Sequence, residues 1–318
     1  MRQKVQIGIW SLVFVVCLSA LFLQCYDMFT YSRRVGVCTQ QNFSVDQVKG
    51  YQKKNSKNGL NLTAWSQKTV KNIRNAKRTQ TQQAEFYSVY GAMNEVFPGR
   101  MLYGNYPYQS DKKGCLVSSG LAQKLYGAVN ILGQTIMYKN RKWYVRGVIK
   151  EEKSLLAVTT EKREAAMTYL IVTGEKNSPV HFMQQITAQI GITDSTYQFD
   201  GSLIYAAARL LSGLPCFFLL WRFRARTNRQ KIIWWAFFCI GLMFFVRIPD
   251  SLIPSKWSDF DFWSRQFQTQ RENWEQWRHS PDVYWEAQVM QKLGRLIESV
   301  GVACVLGLRL SSFWRKRL

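Results

Sequence analysis

The sequence predicts a membrane protein with four transmembrane α-helices and an α+β extracytoplasmic domain inserted between helices 1 and 2. Three observations support this fold class. Four apolar segments alternate with polar stretches, a basic stretch separates the second and third segments, and the interval 27–201 is long enough for one compact core. The mean hydropathy of −0.21 therefore averages apolar helices with large water-exposed parts.

Residues 5–26 form the clearest transmembrane segment. No charged residue interrupts them, and they are long enough to cross a hydrocarbon core of roughly 30 Å. Arg2 and Lys4 precede the segment and place the N-terminus inside. A cleaved signal peptide would need a small-x-small site after the apolar run, and none follows it. A lipoprotein would need a small residue before Cys25, where this sequence has Gln24. We therefore expect a retained helix.

Three further transmembrane helices are predicted at 202–221, 232–248 and 293–314. The first of these contains Pro215. The second is apolar but short. Because a span needs roughly 20 residues, we expect this helix to include Arg247 and Ile248 at its outer end. The charged residues inside the three segments are Arg209, Arg247, Arg295, Glu298 and Arg309.

The stretch 222–231 reads as a short cytoplasmic loop. It contains five basic residues and no acid, and short basic loops remain on the inner side of a membrane. This assignment places both termini in the cytoplasm, and the domain 27–201 and the loop 249–292 outside. The basic residues of the loop are Arg222, Arg224, Arg226, Arg229 and Lys231.

Arg209 and Glu298 are predicted to form an intramembrane ion pair. Arg209 lies seven residues from the outer end of its segment, and Glu298 lies six residues beyond Lys292, the outer flank of the last segment. At about 1.5 Å per residue both charges lie roughly 10 Å below the outer surface. Unpaired charges at that depth are costly, which favours pairing. The alternative is that both side chains reach outward to the interface.

The extracytoplasmic domain is expected to combine helices with strands. Ser44 followed by Gln47 resembles a capping box at the start of a helix. The apolar spacing over 62–78 predicts an amphipathic helix that lies on a sheet. Residues 135–138 and 143–149 predict a β-hairpin.

Two of the seven cysteines, Cys38 and Cys115, lie in the extracytoplasmic domain. An oxidising compartment would permit a disulfide between them, although their positions in the sequence give no distance. The other cysteines lie in or beside the predicted spans, where thiols commonly pack as small hydrophobes.

The outer loop 249–292 is rich in aromatic residues between 257 and 285. Aromatic and charged residues together suit the head-group region, so we expect an amphipathic segment that lies on the outer leaflet. The alternative is that this segment packs against the extracytoplasmic domain.

The net charge of +23 follows largely from membrane topology. The termini and the basic loop hold many of the cations, where anionic lipid head groups attract them, so we expect membrane lipids and no nucleic acid as partners. The interval 27–201 still holds 24 bases against 12 acids. A basic excess would suit an anionic envelope or form an ordinary solvated face.

Catalytic, metal and cofactor sites are not expected. The two histidines, His181 and His279, lack metal-ligand spacing, and the sequence contains no nucleophile elbow and no zinc-protease helix. It also contains no phosphate-binding P-loop, so any nucleotide-driven function requires a partner subunit that binds ATP.

A series of short motifs runs through the second half of the extracytoplasmic domain: Gly114-Cys115-Leu116-Val117-Ser118, Leu121-Ala122, Leu125-Tyr126-Gly127, Leu132-Gly133-Gln134 and Tyr144-Val145-Arg146-Gly147-Val148-Ile149. These motifs resemble the extracytoplasmic core domain of MacB-type ABC transporter permeases, and the resemblance is strongest over 86–149. Tyr126-Gly127 stands where the family commonly has Phe-Gly. The order of one helix, a large outer domain and three helices is also similar to MacB and FtsX permeases.

The resemblance implies a permease subunit that couples a separate P-loop ATPase to its extracytoplasmic domain, for export or for mechanical transmission. It implies a homodimer or a heterodimer with a second permease, and contact between the ATPase and the loop 222–231. The charges of this loop could instead serve only to set topology. A membrane-anchored scaffold or envelope sensor without transport activity is the alternative function.

Overall fold

The computed structural model describes most of the chain, with short gaps. The described residues are 2–75, 81–174, 178–222, 228–246, 248–254 and 260–315. They divide into two compact units. The helical unit comprises Met1–Arg34, Asp200–Gln266 and Val289–Leu318, and the sheet unit comprises Val35–Phe199 and Phe267–Gln288.

The secondary structure alternates short helices with strands in the first two thirds of the chain and is helical afterwards. The strands in the described residues are β1 Arg34–Ser44, β2 Leu60–Asn75, β3 Thr81–Tyr90, β4 Met101–Gly104, β5 Gly114–Ser118, β6 Thr135–Tyr138, β7 Arg141–Ile149, β8 Leu155–Thr159, β9 Ala166–Gly174 and β10 Ser195–Asp200. The α-helices are α1 Arg2–Met28, α2 Val45–Lys54, α3 Met93–Val96, α4 Ser119–Tyr126, α5 Met183–Ile190, α6 Gly201–Arg222, α7 Asn228–Phe245, α8 Phe262–His279 and α9 Tyr284–Arg315.

The described part of the helical unit contains one helix that meets the length and composition of a membrane span. Among the described residues, only the stretch Gly8–Tyr31, which is mostly α1, is long and apolar enough to cross a bilayer. A shorter apolar stretch, Gly201–Phe217, lies in α6. The predicted spans after the extracytoplasmic domain coincide with helices α6, α7 and α9. Their membrane crossing stays a prediction.

The sheet unit is built on one mixed sheet. The strand order is β10-β1-β9-β2-β3-β8-β5-β7-β4, and β6 pairs with both β2 and β7. Strands β3 and β8 are parallel, as are β5 and β7, whereas β2 is antiparallel to β3, β6 and β9. Parallel neighbours require crossover connections, which explains why helices alternate with strands in this part of the sequence.

Six strands close into a ring of paired neighbours, in the order β2-β3-β8-β5-β7-β6 and back to β2. We call this set the strand ring. Every strand of the ring supplies at least one side chain to one buried apolar cluster, together with α4. The Ser118 hydroxyl accepts from the Leu121 backbone N–H at 3.2 Å and begins α4, and Gly127 ends it with φ +70°.

A second apolar cluster lies under the other half of the sheet. It joins α2 and α5 to strands β1, β2 and β9. The predicted capping box begins α2, because the Ser44 side chain accepts from the Gln47 backbone while the Gln47 side chain accepts from the Ser44 backbone. The two clusters give the sheet unit its core.

The predicted helix at 62–78 is wrong, because residues 60–75 form strand β2. This strand pairs with β3 from Ala64 to Arg74 and with β9 from Leu60 to Trp65. Residues 62–66 are buried in succession and therefore on both faces of the strand, so the apolar positions do not alternate as in a half-exposed strand. A bulge near Asn72, which has φ +70°, shifts the remaining period.

The predicted hairpin at 135–149 is confirmed. Strands β6 and β7 pair antiparallel, with Ile136 opposite Trp143 and Tyr138 opposite Arg141. Lys139 and Asn140 form the two-residue turn with φ of 47° and 59°, the left-handed geometry of a tight hairpin.

Cys38 and Cys115, between which the sequence permits a disulfide, are both free cysteines. Cys38 lies in β1 and Cys115 in β5, and four other strands separate these two in the sheet order. Adjacent strands are roughly 4.8 Å apart and a disulfide requires Cα atoms within about 7 Å, so strands this far apart in the sheet order do not bring the two thiols together.

Candidate functional site

The candidate site is a buried carboxyl group at Glu286, in the first turn of α9. Its side chain is 2% exposed. The Tyr197 hydroxyl donates to its Oε2 atom at 3.0 Å, and the Trp277 indole N–H donates to the same atom at 2.7 Å. Strand β10, helix α8 and helix α9 therefore converge on one oxygen atom.

Residues 267–288, which we call the docking segment, bring this carboxyl group to the sheet. They lie between the predicted third and fourth spans, yet they belong to the sheet unit. Of the two interpretations of the aromatic loop, these residues support packing against the extracytoplasmic domain, and contact with the outer leaflet stays a prediction.

Gly36 of β1 makes room for the docking segment. A Cβ atom at this position would lie 2.6 Å from Cζ2 of Trp285 and 3.1 Å from Oε1 of Glu286. Any larger residue would displace the indole ring, which is fully buried. Glycine is thus required here for close approach rather than for an unusual backbone conformation.

Aromatic rings exclude water from the site. The Phe199 ring packs edge-on against Trp285 at 5.2 Å and at a tilt against Trp277 at 5.8 Å. Trp277 in turn stacks on Trp274 at 4.9 Å. Offset and edge-to-face pairs of this kind stabilise a buried cluster beyond their burial alone.

Burial controls the protonation of the site. It raises the pKa of Glu286 to about 8, although the Tyr197 and Trp277 donors act in the opposite direction. Burial, and then the Glu286 charge, raise the pKa of the Cys38 thiol to about 11 and also that of Tyr197. The carboxyl group is therefore mostly protonated at neutral pH and acts as a neutral hydrogen-bonding group.

Two further contacts hold the docking segment. The Asn273 side chain accepts from the backbone N–H of Gln198 at 3.1 Å, which covers part of the outer edge of β10. The Tyr284 ring packs on Phe97 at 5.4 Å. An exposed salt bridge, Lys153 to Asp282 at 3.0 Å, adds little because both side chains are solvated.

The predicted ATPase-contact residues lie partly outside the described chain. Arg222 is the last residue of α6, and Arg229 and Lys231 lie in α7. Arg224 and Arg226 lie outside the described residues. Contact with an ATPase stays a prediction.

The structure leaves the predicted ion pair in the helical unit open. Arg209 is half-buried in α6, and Glu298 is exposed on α9. The pairing of these two residues stays a prediction.

Metal and cofactor chemistry has no obvious location in the described part of the chain. No group of three or more His, Cys, Asp or Glu side chains there could hold a metal ion. A shallow polar cleft of about 470 Å³ lies beside the end of α8, and its lining includes Gln40, Glu275 and His279. These side chains form no recognised catalytic set.

Sequence reasoning missed the Glu286 site. Glu286 falls in the predicted outer loop 249–292, and no role is predicted for Tyr197 or Trp277. The local sequence gives little signal for it, because a glutamate is rarely buried unless it is paired and its partner Tyr197 lies far away in the chain.

The chain combines an N-terminal apolar helix, long enough to cross a membrane, with a mixed α+β sheet domain. The chain belongs to the MacB-like periplasmic core domain family, whose model matches residues 5–196. The family expected from the sequence motifs is therefore confirmed.

Two solved structures are similar to this chain. The periplasmic region of MacB from Actinobacillus actinomycetemcomitans has 11% identity and a TM-score of 0.46, covering 56% of this chain and 93% of its own. The extracellular domain of the noncanonical ABC-type transporter YknZ from Gram-positive bacteria has 15% identity and a TM-score of 0.39, covering 50% of this chain and 94% of its own. No curated protein matches the chain at a significant level.

Proposed function

We infer that this chain is a permease subunit of an ABC-type transporter, which couples a separate ATPase to its extracytoplasmic domain. Family membership supports the permease class. The observation that carries the coupling function is the Glu286 site, which ties the docking segment to the sheet.

Chain connectivity supports mechanical coupling. The sequence passes between the helical unit and the sheet unit after Arg34, Phe199, Gln266 and Gln288. A domain joined to its helices at a single point can swivel independently of them. Four connections, one of which is followed by the buried contacts of the docking segment, restrict such independent motion. Movement of the helices would then be passed to the sheet unit.

The energy for this movement would come from ATP hydrolysed by the partner subunit. In this proposal the basic loop 222–231 receives the ATPase on the cytoplasmic side. A dimer with itself or with a second permease would complete the assembly, with both termini in the cytoplasm and four spans in the membrane. Export of a cargo and mechanical control of an envelope partner both fit this scheme.

Co-purification from native membranes in mild detergent tests the proposal. We expect a P-loop ATPase to be recovered with the wild-type chain and lost when Arg222, Arg224, Arg226 and Arg229 are changed to Gln. A control with the exposed Lys53, Lys54 and Lys57 changed to Gln should retain it. Recovery of no ATPase with folded wild-type protein would refute the permease function and favour a scaffold or sensor.

A further inference from the structure

Five exposed basic side chains gather at the end of the strand ring where β2, β6 and β7 meet. We call them the basic band. They are distinct from the basic loop on the cytoplasmic side and from the Glu286 site. The members of the band are Lys71, Arg74, Lys139, Arg141 and Lys142.

The strand register fixes the direction of two of these side chains. Arg74 lies opposite Met137, and Met137 lies opposite Lys142. Directly opposite residues share a face, so Arg74 and Lys142 project on the same side and are about 10 Å apart at their backbones. Their chain neighbours Ile73 and Trp143 face the buried cluster, so the two cations point out of the ring.

The hairpin turn presents the cations next to Lys142. Lys139 and Asn140 both have positive φ, at 47° and 59°. Asn or Gly is preferred at such positions, whereas a lysine at the first of them is unusual. The turn therefore carries charge at its tip, at a position where glycine or asparagine would be less strained. Arg141 follows directly and is exposed as well.

No acidic side chain neutralises the basic band in the described part of the chain. The sequence has no Asp or Glu between Asp46 and Glu85, or between Asp111 and Glu151, and these intervals contain all three strands. Asp111 is engaged by Arg146 at 2.7 Å. Glu85 accepts from the Tyr87 hydroxyl at 2.8 Å. The salt bridges of the described residues include none of the five cations.

We propose that the basic band binds a soluble, phosphate-bearing polyanion outside the membrane. Guanidinium and ammonium groups that project from adjacent strands and one turn can contact successive anionic groups along a flexible chain. The tip residues Lys139, Asn140 and Arg141 carry no apolar side chain that could enter a bilayer, whereas surfaces that bind lipid usually pair basic with apolar residues. A polymer therefore fits the band better than a membrane surface.

Binding of labelled inorganic polyphosphate to the full chain, in nanodiscs of zwitterionic lipid, tests the proposal. Fluorescence anisotropy would compare the wild type with the variant Lys139→Gln/Arg141→Gln/Lys142→Gln at several salt concentrations. The matched control is Lys53→Gln/Lys54→Gln/Lys57→Gln, which loses the same charge from exposed positions in and just after α2. Elution of each variant as a single species in size exclusion confirms folding.

The expected result is salt-sensitive binding that weakens by at least about tenfold in the band variant and by much less in the control. The strand-borne double variant Arg74→Gln/Lys142→Gln should also weaken binding. Equal weakening in band and control variants would overturn the proposal, since net charge alone would explain it. Equal affinity for polyglutamate would overturn the phosphate assignment. Binding to anionic vesicles but not to polyphosphate would assign the band to lipid instead.

Discussion

Replacement of Glu286 by Gln should stabilise the sheet unit at alkaline pH. The amide is nearly isosteric, and its oxygen can accept the hydrogen bonds from Tyr197 and Trp277 that Oε2 accepts now. Unlike the carboxyl group, it cannot ionise. The variant therefore removes the cost of a buried charge while keeping the contacts.

The magnitude follows from the raised pKa. The pKa of Glu286 is about 8 in the folded protein, against 4.5 for the ordinary side chain. Between these values the folded state holds more protons than the unfolded state, so the free energy of unfolding falls as pH rises. The difference of about 3.5 units corresponds to a loss of about 5 kcal/mol between pH 4 and pH 9. Below pH 4 the two proteins should differ by less than about 1 kcal/mol.

Two measurements check this prediction on the full chain in detergent. Pulse proteolysis in urea gives the stability of the sheet unit at each pH, and infrared spectroscopy follows the carbonyl band of the protonated carboxyl group directly. The variant should lose that band, and its free energy of unfolding should depend much less on pH than that of the wild type. The control Glu275→Gln, at an exposed position on α8, should change neither. If Glu286→Gln keeps both the carbonyl band and the fall of the free energy of unfolding with pH, another group titrates and the assignment of a neutral buried acid to Glu286 is wrong.

Three further predictions concern other contacts. Gly36→Ala should lower the free energy of unfolding of the sheet unit by about 1–3 kcal/mol in the same proteolysis assay, because the new Cβ overlaps the Trp285 ring. An unchanged stability would show that the ring moves without cost. Ser118→Ala should cost about 1–3 kcal/mol, since its hydroxyl accepts from the buried backbone N–H groups of Leu121 and Leu155; Ser118→Thr is the conservative control and should retain most of the stability. Arg209→Glu and Glu298→Arg should each reduce the yield of monodisperse protein in size exclusion, and the double exchange should restore that yield. A double variant with a yield as low as the single variants would count against the ion pair.

Local signals in the sequence predicted several elements correctly. The capping box at Ser44 and Gln47 is a short-range pattern that needs no knowledge of the rest of the chain. The hairpin around Lys139 and Asn140 is of the same kind, since a two-residue turn between apolar runs fixes its own register.

Long-range packing decided the elements that sequence reasoning missed. Strand β2 is buried on both faces near Trp65, so its pattern has no period of two to detect. Glu286 is buried only because Tyr197 and Trp277, which are distant in the sequence from each other, meet it in space. The separation of Cys38 from Cys115 likewise depends on strand order, which a single sequence does not reveal.

The closed strand ring divides the sheet unit into two mechanically different halves. Two of the covalent links to the helical unit enter through β1 and β10, which are neighbours at one border of the sheet. A force applied through these two links therefore acts first on this open half, where β10 has a single strand neighbour and can separate by the loss of one ladder. The strand ring has no edge strand, so the removal of any of its six strands breaks two ladders. Under load the open half should yield before the ring, and side chains on the ring should keep their mutual spacing while the border strands move.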